Sequence, residues 1–431
     1  MQRVLDEFIG FIESRGLVSA GALKDHFGFD SAALSRLTFL AGPKVIRVGH
    51  GRRTAYAIRR VVDGSYAPLP IFRIDRTGRS VDLGLISLAS PKGSHLDLHY
   101  CPSGFDWPHP VSCKSARDGW YDGFPYFFLD AARWDGAGLA ATPFAGDPDV
   151  DPPGDFLVGD ATHDLWRRQP APRGICEHEL LPHYDRLAGQ LELSSRRSID
   201  CRAGMGSYSA VRNRQDDQAH VVVKFARNEN RSNVVPGSSR LICEQIALSH
   251  VDRFEGVAAA KHRILQSERF TFLEVERADR HGVSGRSGFC SWPSAASLCD
   301  GSDRGWLNLI RFWKREELIS AATELALQQV ALFGQMLGSP SIFNSSLGFV
   351  PKAGHLSLAP LTGILPDGEL SSVWLASSGG LRPEVGCPEG VSPIAWGAAM
   401  DAAMAFWADV AGDTRLPGGL RDVAFSRLQN K

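Results

Sequence analysis

The chain lacks paired cysteines, a long apolar run and an apolar N-terminal core. Its eight cysteines are scattered between Cys101 and Cys387 without a CxxC pair. This distribution is typical of reduced thiols rather than of a disulfide framework or a zinc site. No stretch approaches the roughly 20 consecutive apolar residues that span a bilayer, and the N-terminal segment VLDEFIGFIESRG is interrupted by charged side chains. We therefore expect a cytoplasmic protein without a membrane partner.

A strong net charge is also absent. The formal net charge of −1 at pH 7 provides no global field for nucleic acid, so any such binding requires a local basic patch. The length of 431 residues predicts two or three domains. The hydrophobic content of 43% is enough for ordinary buried cores.

Residues 1–62 have the pattern of a compact winged helix-turn-helix. Apolar residues recur at helical spacing in the set Val4, Leu5, Phe8, Ile9 and Ile12. Ser19 can cap a second helix that ends at Gly28, and Asp30 or Ser31 can cap a third helix that runs to Leu40. The stretch VIRVGHGRRTAYAIRR then alternates as two strands around a Gly-His-Gly turn.

This module is predicted to bind DNA. The candidate contacts are Ser31, Ser35 and Arg36 on the third helix, which would enter the major groove, and Arg47, Arg52 and Arg53 around the turn, which would contact phosphate. The third helix is poor in Arg, Asn and Gln, so it would form few direct hydrogen bonds to bases. The alternative is a small winged helix that serves protein contacts or dimerisation, with arginines that are merely solvated.

Residues 63–190 are predicted to form a β-rich region. The stretch PIFRIDRTGRSVDLGLISLA has the pattern of a β-hairpin with Thr77 and Gly78 in its turn. The segment CEHELLPH is one residue too long for a HExxH zinc motif, and Pro182 would break the helix which that motif requires. We expect a loop leading into a helix there rather than a metal site.

Residues 191–431 contain candidate nucleotide-binding elements. The segment RAGMGSYSAVRN holds Gly204, Gly206 and Ser207, whose backbone N–H groups could approach a phosphate, although ordinary turns have the same composition. The run HVVVKFARN predicts a strand that carries Lys224, and SSRLICEQIALSHV predicts a helix that carries Glu244. In kinases a strand lysine contacts nucleotide phosphates and pairs with a helix glutamate. The alternative is a solvated lysine and a surface glutamate.

The order of these motifs along the chain resembles the HipA-like serine/threonine kinases, in the YjjJ-like branch with an N-terminal winged helix. The stretch RFTFLEVERADRHGVSGR matches the family's FLExERFDR…GR hinge strand, while LGSPSIFNSSLGF and LSLAPLTGILP keep the frames of its GNTDMHxGNLSF and LAPxYDMLP loops. The resemblance implies an α+β chain in which the winged helix-turn-helix precedes a bilobal kinase fold. Its β-rich N-terminal subdomain would span 63–190, and its kinase-like C-terminal domain, with a helical C-lobe, would span 191–431. It also implies a bacterial toxin–antitoxin context.

The residues that would carry phosphoryl transfer are replaced. Positions 325–366 contain no Asp and no Glu. By the resemblance, Ser341 stands where the base Asp is expected, Ser346 where the metal-binding Asn is expected, and Gly363 where the second metal-binding Asp is expected. Serine is a weak ligand for Mg²⁺ and glycine has no side chain at all. We predict no intact catalytic or metal site, and no ATP or Mg²⁺ as cofactor unless the site is rewired.

Three hypotheses follow. The leading one is a catalytically inactive pseudokinase that works by binding, either to DNA through the winged helix or to a partner protein, as a regulator or as an antagonist of an active relative. The second is an active kinase toxin with a rewired site, in which Asp367 or Glu369 supplies the missing carboxylate. The third is a relic under little functional demand.

Overall fold

The chain divides into two compact units, each containing helices and strands. Unit 1 comprises Met1–Asp75 and Arg79–Pro170, and unit 2 comprises Arg76–Gly78 and Ala171–Lys431. The computed structural model describes residues 2–62, 64–100, 107–111, 118–128, 153–195, 205–213, 217–228, 236–299, 305–338, 347–365 and 386–429. The predicted α+β class is confirmed. The division at residues 62 and 190 into three domains stays a prediction.

Unit 1 begins with three helices, and the second and third have the N-caps that the sequence predicts. These are α1 (Gln2–Arg15), α2 (Ala20–Phe27) and α3 (Ser31–Ala41). The Ser19 hydroxyl accepts the N–H of Ala22 at 3.1 Å, and the Asp30 carboxylate accepts the N–H of Ala33 at 2.7 Å. Each bond satisfies a backbone donor that the first turn of a helix leaves open. Gly28 ends α2 in the left-handed conformation, with φ 66°.

The three helices share one apolar core with short strands. The strands are β1 (Val18–Ser19), β2 (Val45–Val48) and β3 (Ala55–Arg59). The buried core residues are Phe8, Ile12, Val18, Leu23, Leu34, Leu37, Tyr56 and Ile58. Strands β2 and β3 form an antiparallel hairpin, and Gly49 in its turn has φ 70°. A Cβ at Gly49 would lie 2.7 Å from the Arg53 carbonyl oxygen, so this turn requires glycine.

The hairpin continues into the sheet of the middle region. That sheet adds β4 (Leu69–Ile74), β5 (Ser80–Ser90), β6 (Ser94–Leu98), β7 (Trp120–Tyr121) and β8 (Phe156–Val158), and α4 (Asp160–Arg168) follows β8. Strand β3 pairs with β5 through Ile58 opposite Ser90 and Arg59 opposite Ala89. Strands β4 and β5 form the predicted hairpin. In the described residues, therefore, the N-terminal module and the middle region share one sheet.

Unit 2 contains a second antiparallel sheet with the order β11-β12-β10-β9. Its strands are β9 (Met205–Asn213), β10 (Gln218–Arg227), β11 (His262–Gln266) and β12 (Phe270–Glu276), and its neighbouring helices are α5 (Leu180–Ser195) and α6 (Gly237–Val251). The segment expected to be a loop leading into a helix contains a single 3-10 turn at Glu177–Glu179 and then α5, and Pro182 lies in the first turn of that helix. A proline is tolerated there since its missing N–H has no intrahelical partner.

The remainder of unit 2 is mainly helical. Short strands β13 (Arg280–His281), β14 (Gly285–Arg286) and β15 (Cys290–Ser291) precede α7 (Trp292–Ala296), α8 (Trp306–Arg315) and α9 (Ala321–Met336). Strands β16 (Gly348–Lys352) and β17 (His355–Leu358) precede α10 (Pro393–Gly412) and α11 (Gly418–Gln429). Helix α10 packs against α6 and α9. Within the described ranges, every helix is too short or too polar to cross a membrane.

Candidate nucleotide site and candidate DNA-binding surface

The structure brings Lys224 and Glu244 together. Lys224 lies on β10, opposite Ser207 of β9 and Leu273 of β12. Its ammonium nitrogen is 3.7 Å from the Glu244 Oε1 atom, on α6. Glu244 is buried with 3% exposure, so the interpretation of this residue as a surface glutamate is wrong. That the pair binds nucleotide stays a prediction.

Glu244 also holds a backbone loop that sequence analysis did not connect to it. The N–H of Ile364 donates to Glu244 Oε1 at 2.9 Å, and the N–H of Leu365 donates to Oε2 at 2.6 Å. Hydrogen bonds to an ionised carboxylate are roughly twice as strong as neutral ones. The carboxylate is therefore shared between a lysine and two consecutive amides that lie 120 and 121 positions further along the chain.

These two amides directly follow Gly363, the position where the resemblance expects a metal-binding Asp. Gly363 is buried. On its other flank, the N–H of Leu361 donates to the Ala258 carbonyl, and the N–H of Ala260 donates to the Leu361 carbonyl, both at 2.9 Å. The backbone around Gly363 is thus held on both sides, but position 363 contributes no side chain to bind a cation.

The described part of the predicted phosphate loop, residues 205–213, lies in a strand. Gly206 and Ser207 belong to β9, where Gly206 is opposite Phe225. A Cβ at Gly206 would lie 2.5 Å from the Phe225 Cζ atom, far inside van der Waals contact. Packing of the aromatic ring therefore explains glycine at this position without a ligand.

Three predicted site positions lie outside the described residues: Gly204, Ser341 and Ser346. The same is true of Asp367 and Glu369, the carboxylates considered for a rewired site. Among the residues that are described, no three His, Cys, Asp or Glu side chains are grouped so that they could hold a metal ion. The catalytic and metal assignments accordingly stay predictions.

The charged residues of the hinge stretch form ion pairs inside unit 2. The Glu274 carboxylate on β12 is buried and accepts hydrogen bonds from the Tyr184 hydroxyl at 2.8 Å and from Arg263 Nε at 3.1 Å. Arg212 Nε lies 3.0 Å from the same carboxylate. Burial, reinforced by the neighbouring Glu274 charge, raises the pKa of Tyr184 well above its usual value. The hydrogen bond between Tyr184 and Glu274 therefore links α5 to the sheet.

A further ion cluster continues from the same strand. Asp279 is buried and accepts hydrogen bonds from Arg277 at 2.9 Å and from Arg280 at 2.5 Å. Burial alone would lower the pKa of Arg263 in the neighbouring network, but its hydrogen bonds to Glu177 and Glu274 outweigh that effect and raise the pKa. The hinge motif is therefore a set of structural ion pairs in this chain.

The N-terminal module presents a basic surface. Residues 1–62 carry ten Lys and Arg side chains against five Asp and Glu, a net charge of +5 in a chain whose total is −1. All six predicted DNA-contacting residues are exposed: Ser31, Ser35, Arg36, Arg47, Arg52 and Arg53. The Ser31 hydroxyl accepts a hydrogen bond from the Lys24 ammonium at 2.7 Å. The net charge of the module therefore has the sign that a nucleic-acid ligand requires.

The arginines around the β2–β3 turn differ in what they contact. Arg53 pairs with Asp118 at 3.2 Å. Arg59 donates to the Pro43 and Tyr66 carbonyls, and Arg60 donates to the Ala89 and Pro91 carbonyls. Arg59 and Arg60 therefore stabilise the fold. Within the described part of the chain, the side chains of the other two arginines, 47 and 52, form no ion pair or hydrogen bond.

Comparison with known proteins supports the family resemblance. The described residues form an α+β protein. No family model matches the sequence. The chain is 26% identical over 442 residues to Toxin YjjJ of Escherichia coli (strain K12), covering 95% of this chain and 94% of that protein. The predicted resemblance to the YjjJ-like branch is confirmed. A solved complex of the Shewanella oneidensis MR-1 toxin–antitoxin proteins HipA and HipB with operator DNA covers 84% of this chain and 96% of its own, at 11% identity and a TM-score of 0.49.

Proposed function

We propose that this protein is a HipA-like pseudokinase that binds DNA through an N-terminal winged helix. The observation that carries the proposal is the set of contacts that the Glu244 carboxylate makes. Its carboxylate keeps Lys224 within 3.7 Å and, at the same time, binds the two amides after Gly363. In this proposal, these contacts hold a kinase-like frame around Gly363, the position where the resemblance expects an acid.

Phosphoryl transfer needs a carboxylate to orient the attacking hydroxyl and oxygen ligands to hold Mg²⁺. By the resemblance, Ser341, Ser346 and Gly363 replace those groups. Losing one would lower the rate by orders of magnitude, and losing all of them leaves no route for transfer. The protein would then act as a non-catalytic scaffold that binds DNA or a protein partner.

The +5 charge of residues 1–62 supports DNA as the ligand of the N-terminal module. In this proposal α3 enters the major groove and the β2–β3 turn acts as the wing. Arg59 and Arg60 donate hydrogen bonds to backbone carbonyls. We therefore assign the phosphate contacts to Arg47 and Arg52, whose side chains form no such bond in the described residues. Since the curated relative is named a toxin, we propose that this chain regulates or antagonises an active relative.

The catalytic half of the proposal is tested by thermal shift with ATP alone and with ATP plus Mg²⁺, alongside ATP hydrolysis. We expect no Mg²⁺-dependent stabilisation and no turnover, while an intact family member responds to both as a positive control. A Mg²⁺-dependent shift that disappears in Lys224→Met, together with turnover, would contradict the proposal. That result would support the rewired kinase instead.

The DNA-binding half is tested by titrating labelled duplex DNA at several salt concentrations. We expect the slope of log K against log salt to become less steep by about 1 for each phosphate contact that is lost in Arg47→Ala or Arg52→Ala. Arg253→Ala is the matched control, because Arg253 is exposed in unit 2. Affinity that is insensitive to salt and equal in all three variants would show that the wing does not bind DNA.

A further inference from the structure

One face of α3 is exposed along its whole length. The exposed residues are Ser31, Ala32, Ser35, Arg36, Phe39 and Leu40, and the buried residues Leu34, Leu37 and Ala41 lie on the opposite side. Phe39 has 84% of its surface exposed, the largest fraction among the large apolar side chains of the described residues. Ala32, Phe39 and Leu40 are all exposed on this helix, so its exposed face is partly apolar.

Ala32 and Phe39 point in nearly the same direction. They are seven residues apart, and a straight α-helix turns by only about 20° away from an exact repeat over that interval. The rise of about 1.5 Å per residue separates them by about 10 Å along the helix axis. Two apolar groups therefore lie on the midline of the exposed face, with the polar residues Ser35 and Arg36 between them.

The charge around this face indicates an anionic ligand. The exposed face contains Arg36 and no acidic side chain. At its N-terminal end, Lys24 lies within hydrogen-bond distance of Ser31, and the exposed carboxylate of the N-cap residue Asp30 is bound to the Ala33 N–H. An apolar midline on a module of net charge +5 fits duplex DNA, where phosphates flank a major groove that displays the methyl groups of thymine.

We propose that Ala32 and Phe39 read thymine methyl groups in the major groove. This inference rests on the proposed DNA binding and specifies its ligand as a duplex rich in A·T pairs. The axial separation of about 10 Å corresponds to about three base-pair steps. Helix α3 has few Arg, Asn and Gln side chains, so it can form few hydrogen bonds to base edges. Apolar contact with the thymine methyl group needs none of these residues.

The test compares three duplexes of equal length that differ in one chemical feature at a time. They are alternating dA-dT, the same duplex with deoxyuridine in place of thymidine, and alternating dG-dC. Deoxyuridine removes only the methyl group and keeps every hydrogen bond of the base pair. At fixed salt we expect dA-dT to bind most tightly, with a loss of about fourfold in the deoxyuridine duplex for each methyl contacted.

The variants are Phe39→Ala and the matched control Phe425→Ala, since Phe425 is 56% exposed on α11. We expect Phe39→Ala to weaken binding to dA-dT and to reduce the difference between the thymidine and deoxyuridine duplexes. We expect Phe425→Ala to change neither. Both side chains are exposed, so neither variant should unfold the protein.

Three other outcomes would contradict the inference. Salt-dependent binding of equal strength to all three duplexes would overturn the methyl readout and leave the proposed DNA binding intact. Binding to none of them would overturn both. Sedimentation that shows a dimer lost in Phe39→Ala, with no effect of that variant on DNA affinity, would assign the face to a second copy of the chain and overturn the inference.

Discussion

Replacing Glu244 with alanine should destabilise unit 2 more than any change at Lys224. The carboxylate accepts two backbone N–H groups, at 2.9 and 2.6 Å, and pairs with Lys224 at a longer distance of 3.7 Å. A hydrogen bond to a charged group contributes about 1.5–3 kcal/mol. Glu244→Ala removes two such bonds and leaves their donors buried, so we expect a loss of about 4 kcal/mol.

Lys224→Met should cost much less. The Glu244 carboxylate would keep both amide hydrogen bonds, which stabilise its charge. We expect a loss of about 1 kcal/mol, comparable to one ordinary hydrogen bond. Glu244→Gln should fall between the two, because the amide retains one acceptor oxygen but presents an N–H₂ group to the second backbone donor.

Urea unfolding followed by tryptophan fluorescence measures these losses, since the buried Trp313 reports on unit 2. In thermal unfolding, about 4 kcal/mol corresponds to a decrease of roughly 8–16 °C in Tm for a unit of this size. Glu255→Ala is the control, because Glu255 is exposed and surface substitutions usually stay within about 0.5 kcal/mol. Equal losses for Lys224→Met and Glu244→Ala would refute the reasoning, because the ion pair rather than the loop would then be the main role of the carboxylate.

Three further predictions concern other parts of the molecule. Asp118→Asn should release Arg53 from its ion pair and raise the affinity for duplex DNA by up to about fivefold at low salt. Titration of labelled duplex DNA measures this change, and unchanged affinity would place Arg53 away from DNA. Gly206→Ala should destabilise unit 2 by about 1–3 kcal/mol, because the new Cβ lies 2.5 Å from the Phe225 ring; chemical denaturation checks this, and wild-type stability would show that the strand yields. Burial lowers the pKa of His250, and the charge of Arg253 lowers it further. The unfolded chain therefore binds more protons than the folded chain, so the contribution of His250 is complete above its unfolded pKa of about 6.5 and is lost as the pH falls from there through the lower folded pKa. In unfolding experiments between pH 7.5 and 5, His250→Gln should lose that part of the pH dependence, and an unchanged slope would contradict it.

Features that depend on neighbouring residues could be predicted from the sequence. The caps of α2 and α3 at Ser19 and Asp30 were predictable because the capping oxygen and the N–H group that it accepts are three residues apart. The strand that carries Lys224 and the helix that carries Glu244 were also predictable, since each has a clear apolar pattern. The resemblance to a family added the order in which these elements occur.

Features that depend on distant residues could not be predicted in this way. The pairing of β3 with β5 joins Ile58 to Ser90, and nothing in the local pattern of either strand specifies that partner. Gly206 looked like a residue of a phosphate loop, because a glycine needed for packing and a glycine needed for a ligand have the same sequence signal. Only the position of the Phe225 ring distinguishes them.

The sequence by itself determined which chemical groups the candidate site contains. Gly363 and the absence of Asp and Glu from positions 325–366 are properties of the chain whatever its fold. Only the tertiary structure decided what the remaining groups do. It directs the Glu244 carboxylate to the amides of Ile364 and Leu365. The physical reason is that a buried charge must find hydrogen-bond partners wherever folding brings them, and their distance along the chain does not matter.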